Sequence, residues 1–134
     1  GDGQMKMGAP KIGMGIVDVR DVAEAHYLAG YTPAAQGRYI TAAHETDFLE
    51  MGTVLGDRFG TKYPLPKKAL PKWLLMLVGP MTNKLFTRSF IRNNVNIPWR
   101  ADNSKIKQGL GIKFKSMKET MEDSFEMMIE EKLL

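Results

Sequence analysis

Apolar and polar positions alternate along this chain of 134 residues in short segments that change period several times. Ile16 to Val19 is a β-branched run broken by Asp18, the pattern of a first strand. Within four residues it becomes an Ala-rich stretch that reads as helix to about Ala29, with Gly30 as its stop. Asp18 or Asp21 can accept from the free N–H groups opening that helix, where negative charge is favourable. Gly37-Arg38-Tyr39-Ile40-Thr41-Ala42, after the TPAAQG turn, is a second strand candidate. From Thr46 or Asp47, the residues Phe48, Met51, Leu55 and Phe59 recur at helical spacing until Gly60. Tyr63-Pro64-Leu65-Pro66 is held extended by its prolines. Helices are predicted over Pro71 to Val78 and Thr82 to Arg92, then an edge strand over Asn96 to Ala101 that contains Pro98. Asn103 or Ser104 caps a short helix stopped by Gly109-Leu110-Gly111. Ser116 to Glu119 is a capping box, and Met117, Met121, Phe125, Met128 and Ile129 form the apolar stripe of a closing helix to about Lys132. Gly1 to Gly15 has no period and reads as a loop, with the look of a cut end.

Strands and helices in this order make an α/β chain, yet two or three short strands are a thin sheet for so many helices. Some helices are therefore expected to pack on a partner segment outside residues 16–134, the folded part. The length suffices for a core without cross-links. Absence of cysteine removes disulfides, thiolate catalysis and most structural zinc sites, and it suits a reducing compartment, so a cytoplasmic location is expected. A net charge of +4, with Lys and Arg interspersed among acids, reads as a solvated surface and not as a nucleic-acid footprint. The longest apolar run, Trp73 to Val78, is far shorter than the roughly 20 residues a bilayer requires, so it is a buried or interfacial helix and no membrane partner is expected. The first fifteen residues hold no apolar core of a signal peptide.

Candidate chemistry is sparse. Gly1-Asp2-Gly3 and Gly13-Met14-Gly15 are fragments of a dinucleotide loop, but neither follows a strand and opens a helix with a third glycine. Tyr63 and Lys67 stand four apart, the spacing of a helical pair, and Pro64 and Pro66 between them rule out a shared helical face. His26 and His44 lack a third ligand, so no metal is expected. Asp18, Arg20 and Asp21 form a charge cluster at a strand end, where α/β sites gather; capping plus an Asp–Arg pair explains the same residues. Most of the ten methionines fall at core spacings. Lys84, Arg88 and Arg92 form a basic edge that fits a phosphate or carboxylate as well as it fits solvent.

Three stretches, VDVRDVAEAHYLA, GRYITAA and DNSKIKQGLGIKFKSMKETMEDSFEMMIEEKLL, resemble in order and spacing the C-terminal half of an extended short-chain dehydrogenase/reductase. The nearest flavour is the group of dihydroflavonol, cinnamoyl-CoA and aldehyde reductases, over about Pro10 to Leu134. The resemblance implies a Rossmann-type enzyme whose N-terminal domain holds NAD(P) and a Ser/Thr and Tyr-x-x-x-Lys triad, with this chain as the substrate-binding lobe. Ile16 to Val19 and Asn96 to Ala101 would then form the small sheet of that lobe, and Arg38 to Thr41 would join the main sheet. It further implies reduction of a small carbonyl compound, inactivity of this chain alone, and no catalytic, cofactor-binding or metal-ligating residue within it. Related nucleotide-sugar epimerases place an arginine in an Arg-x-x-Gly-Asp run, and here Arg92-Asn93-Asn94-Val95-Asn96 keeps only the arginine. Arg92 is thus the one expected substrate contact. The alternatives are an epimerase/dehydratase substrate domain or a non-catalytic binding module. Loss of sheet neighbours at Gly37 to Ala42 would favour self-association.

Overall fold

The computed structural model describes residues 8–82 and 84–133, so Gly1-Asp2-Gly3 and the rest of the first seven residues lie outside the described residues. Strand β1 (Gly13–Ile16) turns directly into helix α1 (Val19–Tyr31), and β2 (His44–Asp47) runs without a break into α2 (Phe48–Phe59). Helices α3 (Lys72–Thr82), α4 (Arg88–Asn94), α5 (Ser104–Leu110) and α6 (Met117–Glu130) follow. The two strands pair antiparallel, with Gly13 opposite Asp47 and Ile16 opposite His44. Ile12 adds single bridges to Val95 and Ile97. The result is α/β with very little sheet.

The starts of α1, α2 and α6 follow the sequence because their caps are local, whereas α1 continues through the expected stop at Gly30 to Tyr31, and Asn103, at the cap position of α5, makes no side-chain cap hydrogen bond. The Asp18 carboxylate accepts from Arg20 N and the Asp47 carboxylate from Leu49 N and Glu50 N; Thr87 caps α4 and Ser116 caps α6 in the same way. Gly111, at φ 68°, ends α5 in the left-handed conformation that glycine adopts without strain.

Apolar residues gather in three clusters, one for each helix pair. Ala25 of α1 packs with Ile106, Leu110 and Ile112 at α5. Leu55 and Phe59 of α2 pack with Phe125 of α6, joined by Met121, Met128 and Ile129 from the predicted stripe. Leu75 of α3 packs with Ile91 and Val95 at α4. Arg58 spans the second pair by ion pairs to Glu122 and Glu126.

Strand positions differ from the sequence reading. The first strand lies at residues 13–16 and not 16–19, because capping by Asp18 commits Val19 to the helix. The expected N-terminal loop is in part structured: Ala9 is fully buried, and it exchanges backbone hydrogen bonds with Lys68 and Leu70 at 3.0 Å. Residues 37–42 form no ladder; Lys105 Nζ instead binds the carbonyls of Gln36 and Arg38, and the second strand is 44–47. A strand needs a neighbour for its N–H and C=O groups, and among the described residues no strand pairs with 37–42. Asn96 to Ala101 contributes one bridge at Ile97, since Asn96 at φ 62° and Pro98 interrupt the extended backbone. The helix expected over 82–92 is shorter: α3 continues to Thr82 through Pro80, and α4 starts only after the Thr87 cap.

Phe125 is 8% exposed and stacks against both Phe59, at 4.8 Å between centroids, and Tyr63, edge-on at 5.1 Å. Phe125→Ala is expected to destabilise the protein by about 3–5 kcal/mol, read as a lower urea midpoint with unchanged slope.

Candidate functional site

The charge cluster at the end of β1 is a structural knot. Asp18, 5% exposed, accepts from Arg20 Nε at 2.8 Å and Nη2 at 2.7 Å, and the same guanidinium donates to Asp123 of α6 at 2.7 Å. Two turns of sequence logic end here, one in a cap and one in a cross-link. Asp21, 3% exposed, accepts from the Lys115 amide N–H at 2.8 Å, while His44 Nε2 donates to the Lys115 carbonyl at 2.7 Å. The backbone of Lys115, just before α6, is therefore held at its N–H by α1 and at its carbonyl by β2. The Arg20 hydrogen bonds hold the Asp18 carboxyl well below the ordinary carboxylate range, against an opposing push from burial. Asp18, followed by Asp123, raises the guanidinium in turn, so both charges persist at any physiological pH.

Beside this knot, the β1–β2 hairpin forms one wall of an open groove of about 700 Å³. Its other walls come from the start of α2, residues 69–71 and residues 96–99. Gly13 and Gly15 lie on one face of β1, and residues 97–99 cross directly over them: a Cβ at either glycine would overlap the backbone of Ile97 and Trp99 or the Trp99 ring. The Gly13-Met14-Gly15 motif thus serves close backbone approach. Trp99 remains 40% exposed beside the groove, an aromatic face available to a ligand.

The acids of the groove are already engaged. Asp47 caps α2, Glu50 accepts from the Thr46 hydroxyl at 2.9 Å, and Glu45 accepts from Ala101 N at 2.9 Å. Among the described residues no three His, Asp or Glu side chains cluster to hold a metal ion. A dinucleotide pyrophosphate does not fit either strand-to-helix junction. At both, an aspartate carboxylate occupies the helix N-terminus that the phosphates require, and the β1 glycines are covered.

The remaining sequence candidates are dispersed. Tyr63 packs on Phe125 and Lys67 is exposed beyond the extended prolines. His26 is exposed and bonds within its own helix to the Val22 carbonyl. Lys84, Arg88 and Arg92 are exposed around α4; Arg92 is one turn of chain before Asn96 of the groove and does not itself line it. Sequence reasoning missed Trp99, Asn96 and Glu45. The alternating glycines of β1 were the available signal, since they announce something lying against the strand.

No family model matches the chain. Among curated proteins it is 32% identical over 114 residues to cinnamoyl-CoA reductase 1 of Arabidopsis thaliana, covering 85% of this chain and 27% of that protein. It is 31% identical over 118 residues to tetraketide alpha-pyrone reductase 1 of the same plant, covering 88% and 29%. Among solved structures, the yeast methylglyoxal/isovaleraldehyde reductase Gre2 complexed with NADPH superposes with a TM-score of 0.64 at 23% identity, over 94% of this chain and 37% of that one. The chain therefore spans under a third of the length of the curated relatives it matches.

Stability from Asp18 is fully present above the unfolded-state value of about 3.9 and is lost as pH falls toward the depressed folded-state value. Asp18→Asn is expected to cost about 1–3 kcal/mol near neutrality, with the gap to the native protein narrowing below about pH 4 in urea melts across a pH series.

Proposed function

The chain belongs to the extended short-chain dehydrogenase/reductase family, with a Rossmann-type reductase as its structural neighbour, and on that premise we propose that it is the substrate-binding lobe of an NAD(P)-dependent oxidoreductase that reduces a small carbonyl compound. The observation that carries this reading is the run of 31–32% identity to two kinds of reductase across 85–88% of the chain. NADPH in the yeast structure supports a nicotinamide cofactor for the parent protein. Its chemistry when bound is delivery of a hydride to the carbonyl carbon.

This chain's own part is confinement. The groove, with the Trp99 face and the polar edge of Thr46, Glu45 and Asn96, orients a small substrate, and water is excluded only once the rest of the parent protein closes over it. Arg92, leading into the segment that forms one wall, attracts a polar or anionic end of the substrate. Neither a proton donor nor a cofactor loop is assigned to these residues; both belong to the other part of the parent chain. That part would cover the exposed Val19, Tyr27 and Tyr31 of α1 and give residues 37–42 the strand partner they lack. Without it, the same surface would promote self-association of this chain.

The test is oxidation of NADPH or NADH by the full-length protein against a panel of small aldehydes and ketones, followed by absorbance. Turnover is expected, and Arg92→Ala should raise KM by about fivefold, the scale of one exposed charge contact, with kcat little changed. No turnover of any carbonyl compound, with conversion of nucleotide sugars instead, would overturn the reading.

A further inference from the structure

Helix α3 is apolar on every side, with only its first and last residues polar, and helices of that composition are normally covered all round. Here one half is covered. Leu75, together with Met76, packs on Ile91 and Val95. The other half points outward, with Trp73 69%, Leu77 62% and Met81 87% exposed along a single line of the helix, and Val78 beside them at 39%. Aliphatic and aromatic surface on this scale marks an interaction face.

Charge along the sequence on either side of that face has one sign. Residues 58–101 contain nine of the chain's 19 Lys and Arg residues and none of its 15 acids, a block hidden by the near-balanced total. Lys67, Lys68, Lys84 and Arg88 are exposed before and after α3. Lys72 is the exception, its Nζ held by the carbonyls of Arg92 and Val95 at the end of α4. The other exposed apolar stripe, on α1, differs: Asp21 and Glu24 lie on the same helix, and neither Lys nor a further Arg accompanies Arg20.

Against the expectation of no membrane partner, which rested on the length needed to span a bilayer, we propose that the α3 face, with its flanking cations, docks the protein on an anionic phospholipid surface. The helix would lie in the plane of the interface, with Trp73, Leu77 and Met81 in the acyl boundary and the lysines and arginines at the headgroups. At about 16 Å, eleven helical residues are far too short to span a bilayer, and no helix among the described residues is long and apolar enough to do so. A second copy of the chain is a poor occupant, because a two-fold contact would press two acid-free cationic faces together. A phosphate-rich polymer would satisfy the cations and leave the apolar half-helix exposed.

The experiment is flotation of the full-length protein with vesicles of phosphatidylcholine alone or containing about one-third phosphatidylglycerol. Association with the anionic vesicles only is expected, weakened at least about tenfold between about 0.1 and 0.5 M salt. Trp73→Glu combined with Leu77→Glu should abolish it, and Lys84→Glu combined with Arg88→Glu should reduce it by about tenfold or more. The second pair alters only exposed side chains and guards against a folding defect in the first, checked by circular dichroism. Failure of the native protein to float with anionic vesicles would overturn the proposal, as would flotation unchanged in both variants. A lipid-independent dimer that Leu77→Glu dissolves would overturn it in favour of a second copy.

Discussion

The backbone of Lys115 is where the architecture closes. Its N–H is taken by Asp21 of α1 and its carbonyl by His44 of β2, residues 94 and 71 positions away in the chain. Backbone polar groups withdrawn from water without partners are costly, and here the N–H and the C=O of one part-buried residue are paired to side chains from different elements. The start of α6 is thereby fixed against the strand-to-helix junction. Arg20 adds a second tie from that junction to Asp123, one turn and a half further along α6. With α6 so placed, its Phe125 meets Phe59 of α2, and the second core cluster forms.

That arrangement also decides what kind of chemistry the chain can host. Carboxylates at strand ends are the usual stock of α/β active sites, yet Asp18 and Asp47 are both engaged as helix caps, and Asp21 is bound to a backbone amide. The groove beside them is shaped by backbone crossing over Gly13 and Gly15 and edged by acids that already have partners. Such a surface can select and orient a ligand. The pocket-wall role proposed for the chain asks no more of it than that, and the chain is similar to reductases over 85–88% of its own length.

The unsatisfied surfaces complete the picture, and they are of two kinds. Residues 37–42 present an extended stretch without a strand partner among the described residues, and the α1 stripe presents apolar side chains with mixed charge nearby, as expected where protein meets protein. The α3 face presents apolar side chains in a stretch of sequence whose charges are all positive. Three small clusters in place of one large core leave each helix pair with an outer face, which is why both kinds of surface coexist in so short a chain.

Helix positions were largely legible in the sequence because caps and apolar periods act over one or two turns. Asp47, Ser116 and Gly111 stand where local chemistry requires them, and Leu55, Phe59 and Phe125 were evident as core from spacing alone. The family resemblance was equally legible, since it rests on ordered runs of residues. Strand positions were not: GRYITA has the composition of a strand and pairs with nothing, while the glycine-rich Gly13–Ile16 pairs with His44–Asp47. A strand exists only where another supplies hydrogen bonds, and that is decided by residues far away in the chain. For the same reason the sequence showed an acidic cluster at Asp18 to Asp21 but not its purpose, and it showed Trp99 without the glycines it covers. Local preference fixes the helices; only long-range pairing determines which polar groups remain free to act.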